Sequence, residues 1–215
     1  MRRVPIDPAG FPFILGALAI SLIAVIGPAP AFGVPFLVLS AFFLFFFRDP
    51  DRHPPLGDDA VVAPADGRVL VAGPATAEAA PTEPGAAAWQ QVSIFLSPMD
   101  VHVNRVPVSG RVARVTFTPG RFLPAYRHDA AVANERSEVW IDHKGQMIVA
   151  RQIVGVLARR VVCRLQAGEN VHAGDRYGIM KFGSRMDVFL PPEATITVKV
   201  DQTVRGGETV IAVLH

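Results

Sequence analysis

The chain has 215 residues and a formal net charge of +2, enough for one ordinary domain with an appendage and too nearly neutral to bind nucleic acid by bulk charge. Its single cysteine, Cys163, excludes an internal disulfide and fits a reducing compartment. Hydrophobic residues make up 50% of the chain, and the excess is concentrated at one end.

Between Asp7 and Arg48 there is no charged residue. Two apolar runs, 11–26 and 31–47, flank Gly27-Pro28-Ala29-Pro30, which breaks a helix and permits a reversal. As helix each run would be about 25 Å long, the short end of what crosses a bilayer core. An apolar run after Arg2 and Arg3 resembles a secretory signal, but signals are not followed at once by a second run. The expected structure over residues 1–47 is a membrane-anchoring helical hairpin, spanning the bilayer or embedded in it. Arg2 and Arg3 before it, and Arg48 and Arg52 after it, put both ends and the following domain on the cytoplasmic side.

Residues 48–215 carry the composition of a soluble domain. A proline-stiffened connector, 48–55, opens it, and an Ala/Pro/Glu/Thr-rich loop is expected over 75–88. Short Val/Ile/Phe runs alternating with polar residues predict strands at 92–96, 110–117, 138–141, 147–156, 161–165, 196–200 and 209–214. Helix is scarce, with 123–132 the clearest candidate. The pattern Val171-His-Ala-Gly-Asp175 returns as Val204-Arg-Gly-Gly-Glu208, two tight turns of the kind that barrel-sandwich carrier domains repeat. The fold class is therefore mainly β with a few short helices, a β-sandwich or barrel-sandwich-like domain behind the helical hairpin.

Motifs for zinc, phosphate loops, paired cysteines and nucleophile elbows are missing, and the six histidines are scattered, so no metal is expected. A pyridoxal phosphate enzyme would have to draw its lysine from Lys144, Lys181 and Lys199. What remains is Gly183-Ser184, set between two strand-like runs. Such a pair is usually a turn. It also permits Ser184 Oγ to attack the unshielded Gly183 carbonyl, forming an ester whose elimination and hydrolysis leave a pyruvoyl group and ammonia.

The segment Lys181-Phe-Gly-Ser-Arg-Met-Asp-Val-Phe-Leu-Pro191 resembles the self-cleavage site of the phosphatidylserine decarboxylase family in its short form. Pro64-Ala-Asp-Gly-Arg-Val69, the block from Ile94 through Met99-Asp-Val-His-Val-Asn-Arg105 to Pro107, Ala133-Asn-Glu-Arg136 and Gln152-Ile-Val-Gly-Val-Leu-Ala-Arg-Arg160 resemble further family blocks in the same order. The resemblance implies cleavage between Gly183 and Ser184 into a β chain, 1–183, and an α chain, 184–215, that stay associated. It implies a covalent pyruvoyl group (pyruvate) made from Ser184 as the only cofactor, with no pyridoxal phosphate and no metal. That group forms a Schiff base with the serine headgroup of a membrane phospholipid, releasing CO2 and leaving phosphatidylethanolamine. Association into homo-oligomers is expected, and no nucleic acid.

By the same resemblance His102 serves decarboxylation, as proton donor to the carbanion, and Asp66 serves self-processing. Their competing readings are a hydrogen-bonded structural histidine and a turn aspartate before glycine. Longer family members carry a second histidine where Arg105 stands, and arginine stays protonated. His102, Asp100 or His128 is then left as the base for self-cleavage. Asn134 and Glu135 are expected near the site, Arg159 and Arg160 near an anionic headgroup, and Cys163 in the core. The rival reading is a membrane-anchored biotinyl or lipoyl-type carrier modified at Lys181, because Met180-Lys181 resembles the modified turn of such domains.

Overall fold

A computed structural model describes residues 5–27, 30–82, 88–156, 161–181 and 183–215. The chain divides into two compact units, Met1–Asp51 and Arg52–His215. The first is a pair of helices, α1 (Phe11–Ile26) and α2 (Gly33–Phe46). Ser21 Oγ donates to Gly33 O (2.8 Å) and Ser40 Oγ to Ile14 O (3.0 Å), so the helices run antiparallel and each buried hydroxyl finds a carbonyl on the other helix. Asp7 N–H donates to Phe47 O and Asp49 N–H to Pro5 O, which zips the open end. Apolar side chains such as Ile23, Ile26, Phe32 and Val34 face outward. The helical stretch Pro8–Ile26 is long and apolar enough to cross a membrane, and Pro30–Phe46 is shorter.

The second unit holds β1 (Ala60–Val62), β2 (Gly67–Pro74), β3 (Gln90–Leu96), β4 (Val103–Arg105), β5 (Gly110–Thr118), a single helical turn α3 (Ala130–Ala133), β6 (Arg136–His143) and β7 (Gln146–Ile153). After these come β8 (Val161–Cys163), β9 (Asn170–Val171), β10 (Arg176–Met180), β11 (Ser184–Leu190), β12 (Thr195–Ile196), β13 (Thr203–Val204) and β14 (Val210–Val213). An eight-stranded sheet has the order β13-β2-β3-β11-β7-β6-β5-β9, and two three-stranded sheets have the orders β1-β14-β12 and β4-β10-β8. The mainly β, barrel-sandwich-like expectation holds. The helix expected over 123–132 is reduced to α3, and the chain before it makes a turn in which Arg127 N–H donates to Pro124 O.

The sheets are related by an internal two-fold repeat. The bulge between Val69 and Val71 in β2 recurs between Val112 and Arg114 in β5, and Arg68 opposite Phe95 matches Arg111 opposite Asp142. Val62 N–H donates to Pro107 O while Arg105 N–H donates to Pro64 O, both at 2.8 Å, so the halves hook into each other reciprocally. Val61 opposite Ala212 matches Asn104 opposite Gly178. A Cβ on Gly67 would strike Phe95 O, and one on Gly110 would strike Asp142 O. The sequence trace is Pro64-Ala-Asp-Gly-Arg-Val69 against Pro107-Val-Ser-Gly-Arg-Val112. The two Val-x-x-Gly-acidic turns are the same repeat: each leads from an end strand of the long sheet, β9 or β13, into a three-stranded sheet, with Gly174 at φ +85° and Gly207 at φ +77°.

Alternate residues of β11 face opposite ways. Met186, Val188 and Leu190 enter the main core with Val92, Ile94, Leu96, Ile148 and Ala150. On the other face Phe189 packs with Trp140 and Val149, and the Arg185 guanidinium grips Asp187 through contacts of 2.6 and 3.1 Å while donating to Ser93 Oγ at 2.9 Å. Gln91 Nε2 also donates to Asp187 Oδ2 (3.1 Å). Arg185 and Asp187 are buried, so removing one partner strands a charge. Asp187→Ala is expected to lower unfolding free energy by about 3–5 kcal/mol, read by urea denaturation of the full chain.

Candidate active site

Gly183 and Ser184 join β10 to β11. Gly183 adopts φ +73°, a left-handed conformation that costs a residue with a Cβ about 1–2 kcal/mol, so glycine suits the turn. Ser184 is fully buried opposite Leu96 of β3, and its position in β11 turns its side chain toward the main core with Met186. Its Oγ is buried without a hydrogen-bond partner among the described residues. Burying an unsatisfied hydroxyl costs about 1–3 kcal/mol, and folds rarely bear that cost without a use for the group.

The carbonyl of the Gly183–Ser184 peptide lies against Gly155, where an added Cβ would overlap Gly183 O and approach Ala125 Cβ. Asn134 supports this contact. Fully buried, it accepts from Leu123 N–H (2.9 Å) and donates to Leu123 O (2.8 Å) and to Val154 O (2.9 Å), next to Gly155. Glu135 contributes backbone, its O accepting from Val154 N–H and its N–H donating to Arg121 O. Nothing in the sequence reading singled out Gly155 within its block, since a glycine needed for close backbone approach looks like any loop glycine.

The His102 backbone pairs with the end of β10, three residues before Gly183. Met180 N–H donates to His102 O (3.3 Å), continuing the β4–β10 ladder in which Ile179 lies opposite Val103. The ring is buried, and Nδ1 is 3.0 Å from Asp100 O. A ring nitrogen facing a carbonyl must carry the proton, so the exchangeable position is Nε2. Asp100 itself caps a turn, its Oδ2 accepting from Ser97 N–H (2.8 Å). His128 lines a cavity of about 650 Å³ with Gln91 and Arg185, on the sheet face away from Ser184.

Asp66 is tied elsewhere. Its Oδ2 pairs with Arg52 Nη2 (2.7 Å) and its Oδ1 accepts from Gly206 N–H (2.7 Å). In the other half of the repeat the matching residue is Ser109, whose Oγ accepts from Ala173 N–H (3.0 Å), the counterpart of Gly206. Asp66 thus holds a turn as Ser109 does, and no hydrogen bond among the described residues joins it to Ser184. Arg105 is likewise buried, donating from Nη1 to Gly174 O (3.0 Å).

Cys163 is half-buried against the core, and burial pushes its thiol upward, which keeps it protonated near neutrality. Tyr177 is fully buried, its hydroxyl 4.0 Å from Met186 Sδ; burial raises its ionisation well above the ordinary phenol, so it stays neutral. Arg159 and Arg160 lie outside the described residues.

A family model described as phosphatidylserine decarboxylase matches residues 39–212, which makes the chain an enzyme of the carboxy-lyase class. Two curated relatives, each named phosphatidylserine decarboxylase proenzyme, are similar over nearly the whole chain. The protein of Pelobacter propionicus is 40% identical, covering 98% of this chain and 97% of its own length. That of Chlorobium limicola is 41% identical, covering 96% of this chain and 99% of its own. The chain belongs to the phosphatidylserine decarboxylase family. This membership favours the lyase over the carrier reading of Lys181, and the neighbouring Met180 is fully buried in β10 rather than displayed at an exposed hairpin tip.

Proposed function

We propose that this chain is a phosphatidylserine decarboxylase proenzyme that cleaves itself between Gly183 and Ser184 and converts Ser184 to a pyruvoyl group. The observation that carries this reading is the buried Ser184 Oγ, without a hydrogen-bond partner among the described residues, beside Gly183 at φ +73°. Ser184 Oγ attacks the Gly183 carbonyl carbon, the C–N bond breaks, and an ester to Gly183 results with a free amine on Ser184. Loss of the Ser184 Cα proton expels the Gly183 carboxylate and leaves dehydroalanine. Tautomerisation and addition of water then release ammonia. Gly155 lets the backbone close on the Gly183 carbonyl without displacing it, and Asn134 anchors the segment that carries Gly155.

The pyruvoyl group supplies an electrophilic ketone that takes up the substrate amine and acts as the electron sink when CO2 departs. His102, fixed through Nδ1 by Asp100 O, presents Nε2 for proton transfer to the carbon that has lost CO2. Of the possible bases for self-cleavage, His102 is favoured, since Asp100 caps its own turn and His128 lies on the other sheet face. The bonds of Asp66 support a role in holding the turn at Gly206 rather than in moving a proton. The apolar helix pair suits an enzyme whose substrate lies in a bilayer, with its flanking arginines on the cytoplasmic side.

Intact mass spectrometry of folded, purified protein tests the proposal. Two chains, 1–183 and 184–215, are expected, the shorter one bearing a carbonyl that reacts with hydroxylamine. A folded sample that stays in one piece and traps no such reagent overturns it.

A further inference from the structure

Ser184 Oγ is one of several buried side-chain atoms without a hydrogen-bond partner among the described residues, and two others belong to a pair of amides. Asn104 and Gln152 are both fully buried, and Gln152 Nε2 donates to Asn104 Oδ1 (2.8 Å) and to Val162 O (3.3 Å). Two acceptors around one nitrogen fix which end of the Gln152 amide is nitrogen, and the bond to Asn104 then fixes the Asn104 amide as well. Asn104 Nδ2 and Gln152 Oε1 remain, each buried and without a partner among the described residues. One is a donor and the other an acceptor.

The register sets Gln152 on the strand next to Ser184, two positions along, and its bond ties Asn104 to it. Gln152 lies opposite Met186, whose side chain shares the inner face of β11 with Ser184. Asn104 lies on β4 and accepts from Gln152 at 2.8 Å. Gly178, opposite Asn104, makes the contact possible: a Cβ there would meet Val162 O and stand 2.8 Å from Gln152 Nε2.

The internal repeat shows that neither amide is needed to build the fold. The position matching Asn104 is Val61, and the position matching Gly178 is Ala212, a residue with the methyl that Gly178 lacks. By the same registers, Gln152 opposite Ser137 matches Leu190 opposite Gln90. Val61, Ala212 and Leu190 are all buried apolar core residues. Only the half that holds Asn104, Gly178 and Gln152 replaces this apolar core with a polar pair.

We infer that Asn104 and Gln152 form the recognition site for the amino-acid headgroup of the substrate: Asn104 Nδ2 donates to its carboxylate and Gln152 Oε1 accepts from its amine. A headgroup with adjacent carboxylate and ammonium satisfies both orphan atoms at once, while a headgroup with amine alone satisfies only Gln152. This deepens the Ser184 proposal and rests on it.

The test uses full-length processed protein in detergent with sodium cyanoborohydride, which fixes amine adducts on the α chain for counting by mass. Adduct formation is measured with phosphatidylserine and with phosphatidylethanolamine. The wild type is expected to prefer the serine lipid. Asn104→Asp keeps the acceptor that holds Gln152 but removes the donor and adds a charge that repels carboxylate; it is expected to lose that preference by about tenfold to a hundredfold. Hydroxylamine capture of its carbonyl stays at the wild-type level. Asn104→Leu, matching the apolar counterpart in the repeat, is expected to lose the preference as well, and Gln152→Met to slow both adducts alike. Unchanged preference in the Asn104 variants overturns the assignment. So does loss of self-cleavage in variants with native circular dichroism, which would assign the pair to processing. Failure of the Ser184 proposal looks different, because the wild type itself would then trap neither hydroxylamine nor lipid.

Discussion

Ser184→Ala is expected to accumulate as one uncut chain with no decarboxylase activity. Without Oγ no ester can form at Gly183, and without the ester no carbonyl arises at residue 184. The expected loss is complete rather than partial, since every later step needs that carbonyl. The substitution also removes a buried hydroxyl that has no partner among the described residues, so it relieves a desolvation cost instead of creating one. The thermal midpoint should be unchanged or slightly raised. Denaturing electrophoresis with intact mass reads the cleavage, and a melt on the same sample shows that the fold is kept. Appearance of the 184–215 fragment from this variant would remove Ser184 from the chemistry.

His102→Ala is expected to slow self-cleavage, for which His102 is the favoured base, and to leave the fraction that is cut releasing CO2 from a serine phospholipid far more slowly. Proton transfer by a positioned side chain contributes roughly 10²–10⁴-fold, so kcat should fall by about that factor. Normalising CO2 release to carbonyl content keeps incomplete processing from imitating the effect. Full turnover per carbonyl would leave His102 a structural histidine held by Asp100 O.

Much of the architecture was legible in the sequence. The expected strands at 92–96, 110–117, 138–141 and 209–214 lie within β3, β5, β6 and β14 or overlap them closely, because alternating apolar residues reflect one buried face. The run expected at 196–200 shrinks to the two residues of β12, and the helix expected over 123–132 to the single turn α3. The two Val-x-x-Gly-acidic turns were visible as an echo. The larger repeat behind them, Pro-x-x-Gly-Arg-Val, is also written in the sequence, but its meaning depends on reciprocal hydrogen bonds between Val62 and Pro107 and between Arg105 and Pro64.

For the proposed site, local chemistry offered Gly183 and Ser184 as candidates, because a nucleophile beside an unshielded carbonyl is a property of neighbouring residues, and His102 came from the family resemblance. Asn104, Gln152 and Gly155 were not visible as a group. In a strand a polar residue reads as facing solvent, and only the packing of β4, β10, β7 and β11 shows that these amides are fully buried. The part Asp66 plays as a turn clamp with a Ser109 counterpart likewise depends on which backbone N–H the fold brings to its carboxylate. Sequence alone determined the apolar pair of helices, the β character and the Gly–Ser bond, each set by residues close together in the chain. Burial and partnership are settled by segments far apart in the chain, and those only the tertiary structure decided.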